Sequence, residues 1–122
     1  MAGRSIVHIE IPAKDRATLS KFYAEMFGWK LQEFPEMNYT TFESGSVGGG
    51  FAPVEGSQYS TIGQVLLHIG SEDIEADLAQ IKKMGGQMVV PKTEIPGIGW
   101  FAIFNDPAGN RVALYTPLPT SG

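Results

Sequence analysis

The chain has 122 residues, 43% of them hydrophobic, a formal charge of −4, nine Lys and Arg, and no cysteine. That length and apolar content fit a single compact domain, and the absence of cysteine excludes a disulfide framework, a thiolate metal site and a cysteine nucleophile. The scattered basic residues form no positive stripe for nucleic acid or an anionic membrane, and no apolar run is long enough to cross a bilayer or serve as a secretory signal. A soluble cytoplasmic protein acting on a small molecule or another protein chain is expected.

In chain order, Ile6 to Ile11 alternates, with Val7, Ile9 and Ile11 on one face and Ile6, His8 and Glu10 on the other, the period of a strand. A helix is predicted over "DRATLSKFYAEMFG", where Leu19, Phe22, Tyr23, Met26 and Phe27 share an apolar stripe, Asp15 caps the start and Gly28 supplies the stop. Three strands follow, Trp29 to Phe34, Tyr39 to Glu43 and Val47 to Phe51. The order then repeats. Gln64 to Ile69 alternates, "DIEADLAQIKKMGG" carries Ile74, Leu78, Ile81 and Met84 at helical spacing, and strands are predicted at Gln87 to Val90, Trp100 to Asn105 and Arg111 to Thr116. With Gly28 placed on Gly86 the halves correspond as an internal repeat. We expect an α+β fold of two βαβββ modules, about 5–54 and about 63–118, within one domain spanning 1–122.

In each half the strand faces turned toward the helix are aliphatic, whereas His8, Glu10, His68, Arg111 and Tyr115 lie on the opposite faces. Two curved mixed sheets presenting these groups to a shared cleft would make a small-molecule site. Arg111 can hold a carboxylate or phosphate and Tyr115 can orient an oxygen, against the plainer roles of solvated strand start and edge packing. In "TEIPGIGW", Trp100 reads either as an indole platform over a ligand or as a plug at one end of the core. Gly48, Gly49 and Gly50 lack the helix and Lys-Ser/Thr pair of a phosphate loop, so close backbone packing explains them better. Asp106 belongs to the "DPAG" turn, and 118–122 reads as a frayed tail. There is neither a Gly-x-Ser-x-Gly elbow nor a dinucleotide fingerprint.

The segments "VHIEIPAKDRATLSKFYAEMFGWK" and "EDIEADLAQIKKMGGQMVVPKTEIPGIGWFAIFNDPAGNRVALYTP", with the paired element order, resemble the vicinal oxygen chelate superfamily. That superfamily includes lactoylglutathione lyase (glyoxalase I), extradiol dioxygenases and bleomycin-resistance proteins. Its metal-dependent members imply four ligands, one pair per half. Carried onto this chain, they fall on His8, on the stretch Val47 to Phe51, on Leu66 and on Ala113, so only the first position keeps a donor. The main expectation is therefore a protein that binds a small organic molecule without a cofactor, either sequestering it or acting on it with His8 as the proton-moving group. Glu10, His68, Trp100, Arg111 and Tyr115 would be its binding residues. The rival is a metal-dependent lyase, isomerase or dioxygenase holding Zn, Ni or Fe on His8, Glu10 and His68. A stress or scaffold protein acting through its dimer surface is a third possibility. A homodimer is expected, since so small a chain seldom covers two open sheet faces alone and the resemblance points the same way.

Overall fold

The computed structural model describes residues 3–57 and 59–119; the end of the predicted tail, 120–122, lies outside them. The elements are β1 (Ile6–Ala13), α1 (Arg16–Phe27), β2 (Lys30–Phe34), a short 3-10 turn (Pro35–Met37), β3 (Tyr39–Glu43), β4 (Gly48–Pro53), β5 (Leu66–Gly70), α2 (Ile74–Lys83), β6 (Gln87–Ile95), β7 (Gly99–Asn105) and β8 (Arg111–Pro117). Two compact units result. One spans His8–Leu67, and the other runs from His68 onward with the strand start up to Val7.

In the first unit the strands lie in the order β2-β3-β4-β1. The β2/β3 and β3/β4 pairs are antiparallel, while β1 runs parallel to β4 with Glu10 opposite Gly50. One face of this sheet is covered by α1. Period-two alternation sends Ile9 and Ile11 of β1, Phe42 of β3 and Phe51 of β4 to that side, where they pack with Leu19 and Tyr23 of the helix. The Trp29 ring bridges the layers, 4.8 Å from Tyr23 and 4.4 Å from Phe42 between centroids.

The Asp15 side chain accepts the Thr18 N–H at 3.2 Å, satisfying a backbone donor that the first turn leaves open. The helix stops at Gly28, whose φ of 72° lies in the left-handed region. Arg16 reaches back to the sheet, donating to Glu33 and to the fully buried Thr40, each at 2.9 Å. Asp15→Ala is expected to lower the urea midpoint at unchanged slope.

The apolar stripe predicted for α1 is only partly buried. Leu19 and Tyr23 pack inward, but Phe22, Met26 and Phe27 are more than half exposed. Leu19 and Tyr23, four apart, form the inward row, and Phe22 and Met26, also four apart, form the neighbouring one; Phe27 continues the inward row at the helix end, its ring 6.1 Å from that of Trp29.

The second unit repeats the plan. Its strand order is β5-β8-β7-β6, with β5 parallel to β8 and the other pairs antiparallel. Ile74 and Leu78 of α2 pack over Ala102, Phe104 and Leu114. Asp73 caps α2 by accepting the Ala76 N–H at 3.0 Å. Acidic Glu75 and Asp77 in the first turn and basic Lys82 and Lys83 in the last complement the helix dipole. In the Asp106 turn, one carboxylate oxygen accepts the Ala108 and Asn110 N–H groups at 3.0 and 2.9 Å. The fold is thus α+β, with two βαβββ modules. Among the described residues no helix is long and apolar enough to cross a membrane.

Candidate functional site

On the first unit's sheet, the residues that alternate with the core set face away from α1. They are His8 and Glu10 of β1, Tyr39 and Thr41 of β3, and Gly50 of β4. Since β4 lies between β3 and β1, a side chain on β3 reaches β1 only by crossing β4. Gly50 makes that crossing possible. A Cβ built at Gly50 would lie 2.1 Å from the ring atoms and hydroxyl of Tyr39, so the phenol lies flat across a position that any other residue would fill.

The Tyr39 hydroxyl consequently arrives between the two polar residues of β1. It lies 2.8 Å from His8 Nε2 and donates to Glu10 Oε2 at 3.2 Å. With the phenol proton directed at Glu10, His8 serves as donor through Nε2–H. The His8 and Tyr39 rings are stacked, 17° from parallel. Tyr59, beyond β4, is close enough for the Glu10 charge to act on its phenol. Neither tyrosine was singled out from the sequence. The available signal was a glycine at the centre of a strand whose hairpin partner starts with tyrosine.

Burial sets the electrostatics of the cluster. It pushes the His8 imidazole below its ordinary value and the Glu10 carboxyl above its own, the latter partly offset by the Tyr39 hydrogen bond. The Tyr39 phenol is raised by burial and then by Glu10, and Tyr59 is raised for the same two reasons. Both phenols therefore keep their protons at neutral pH, and the imidazole stays uncharged.

These shifts have opposite consequences for stability. With Glu10 raised, the native state holds more protons than the unfolded chain between the ordinary and the raised values, so stability falls as pH rises through that window. With His8 lowered, the unfolded chain holds more protons just below the ordinary imidazole value of 6.5, so stability falls as pH drops through that window. Glu10→Gln removes the first effect. Urea midpoints measured at rising pH are expected to move in favour of the variant relative to wild type as pH passes above the ordinary carboxyl range.

The residues of the second unit divide between its two sheet faces. His68, buried on β5, pairs in register with Ala113. Arg111, Ala113 and Tyr115 share that face by alternation along β8. Tyr115 also borders a recess of about 600 Å³ with Arg4, Ser71 and Asp77, where Arg4 and Ser71 donate to one Asp77 oxygen at 2.7 and 2.6 Å. Trp100 lies on the opposite, α2-covered face, packed against the core with the Lys92 ammonium 5.3 Å from its ring.

The donor set of a four-ligand metal centre does not fit these residues. Leu66 and Ala113 supply a hydrocarbon chain and a fully buried methyl group, and the Tyr39 ring occupies the place of a side chain at Gly50. No group of three His, Cys, Asp or Glu side chains suited to a metal occurs among the described residues.

Two tandem βαβββ modules, each with a helix on one sheet face and polar side chains on the other, define a class of small α+β proteins. The model of the Glyoxalase/Bleomycin resistance protein/Dioxygenase superfamily matches residues 5–114, and the chain belongs to that superfamily. A Glyoxylase-like domain-containing protein from Didymella fabae is 31% identical over 118 residues, covering 88% of this chain and 90% of that one. Among solved structures, a hypothetical protein from Bacillus halodurans C-125 superposes with a TM-score of 0.74 at 17% identity, covering 99% of both chains. Methylmalonyl-CoA epimerase from Mycobacterium tuberculosis gives 0.67 at 15% identity, covering 98% of this chain and 94% of that one. At these identities the two structures show the shared fold alone.

Proposed function

We propose that the protein binds a small organic molecule on the first module's sheet face that carries His8, Glu10 and Tyr39, and that it does so without a metal. One observation carries this reading. A partly buried carboxylate, phenol and imidazole are joined by hydrogen bonds of 2.8 and 3.2 Å on the face left uncovered by α1, at a crossing that requires glycine at position 50. Converging polar groups on an otherwise packed surface fix the orientation of a ligand. If the bound molecule is also transformed, His8 is the imidazole positioned to move a proton. His68, Arg111 and Tyr115, on the corresponding face of the second module, are proposed as further binding residues. We also propose a homodimer, supported by the exposed Phe22, Met26 and Phe27 on α1; light scattering is expected to give about twice the 13.2 kDa chain mass.

The test is a thermal-shift screen of metabolites with and without a chelator. A ligand at a hundred times its dissociation constant stabilises the native state by about 2.7 kcal/mol, a rise of several degrees. That rise is expected to survive the chelator. Stabilisation that appears only with added Zn²⁺, Ni²⁺ or Fe²⁺ would contradict the metal-free reading.

A further inference from the structure

Resting on the site proposed above, we infer its ligand class: a protonated amine, held by the Glu10 carboxylate beside the Tyr39 ring. Glu10 receives one hydrogen bond, from Tyr39 at 3.2 Å, longer than the 2.5–2.7 Å typical of a hydroxyl donating to a carboxylate. Among the described residues, Arg4 pairs with Asp77, Arg16 with Glu33 and Lys92 with Glu75, and none of these three cations meets Glu10. Its neighbours His8 and Tyr39 are neutral hydrogen-bonding groups.

A partly desolvated carboxylate in this position is stabilised by whatever supplies a cation and more donors. An ammonium group offers both, with up to three N–H donors, and the Tyr39 ring adds the attraction of its negative face for a cation. A ligand carboxylate or phosphate approaching the same point would meet like charge. Burial already holds the Glu10 carboxyl up, and ammonium binding would draw it back down, favouring the ionised form.

Three probes of similar shape test the inference: phenethylamine, phenylethanol and phenylpropionate, titrated at pH 8 into the full chain and followed by proton–nitrogen correlation NMR. Phenethylamine is expected to perturb the Glu10 and Gly50 amides saturably and to bind about tenfold or more tightly than the alcohol, with the carboxylate weakest. Added salt should weaken the amine and leave the alcohol unchanged. Glu10→Gln, which keeps an acceptor for Tyr39, should bring the amine and alcohol within about twofold of each other. Alcohol or carboxylate binding at these amides as tightly as the amine, or an amine preference that survives Glu10→Gln, overturns the amine inference and leaves the site itself standing. If none of the three probes perturbs the Glu10 and Gly50 amides, both readings are overturned.

Discussion

Gly49→Ala is expected to destabilise the protein by about 3 kcal/mol or more. A Cβ at this position would lie 1.9 Å from the Ile9 carbonyl oxygen and 2.5 Å from the Phe42 ring. Gly49 is in register with Ile9 in the parallel β1/β4 pair and with Phe42 in the antiparallel β3/β4 pair, so the obstruction is backbone at the centre of the sheet. The strands would have to separate. Overpacking usually costs about 1–3 kcal/mol where side chains can adjust, and a backbone collision belongs at or beyond the upper end. Against a total of about 5–15 kcal/mol for a domain, that is a large share of the stability. Urea denaturation followed by circular dichroism reads the loss. A variant within about 1 kcal/mol of wild type would mean that the two strands are not packed this closely.

Gly50→Ala should behave differently, although its neighbour is almost as near. The added Cβ meets the Tyr39 ring at 2.1 Å, and a ring can swing away. The expected cost is about 1–3 kcal/mol with the fold retained, but the phenol leaves His8 and Glu10, and ligand stabilisation disappears. A double-mutant cycle isolates the cause. In a Tyr39→Ala background the same substitution is expected to cost less than about 1 kcal/mol, because the group it displaces is gone. An equal cost in both backgrounds would show that the ring does not lie over Gly50.

The elements most legible in the sequence were those whose pattern is local. Alternation in β1 separates His8 and Glu10 from Ile9 and Ile11, and Asp15 and Gly28 punctuate α1 where capping chemistry places them. The repeat was legible for the same reason, since each half carries its own strand alternation and helix stop. Strand β6 was less so. It continues past Val90 through Pro91 to Ile95, because it lies at the end of the strand order and its pairing with β7 shifts register between Val90 and Thr93, where proline's missing N–H is tolerated. Tyr39 was legible as a strand residue but not as a site residue, since its role depends on a glycine in the next strand and on the order β3-β4-β1. Trp100 allowed two readings until the register with β8 placed it with Thr116 and Leu114 on the helix-covered face. The missing donors at Leu66 and Ala113, by contrast, are a matter of residue identity and needed no structure.

The central claim is that the phenol of Tyr39, held over Gly50, organises a ligand site with His8 and Glu10. Calorimetric titration of the most stabilising screened compound into wild type and Tyr39→Phe tests it most directly. The substitution keeps the ring and removes only the hydroxyl that links the other two groups. Loss of one such hydrogen-bonding group, about 1.4 kcal/mol, predicts binding about tenfold weaker in the variant. Equal affinity in the two proteins would place the ligand elsewhere and contradict the account.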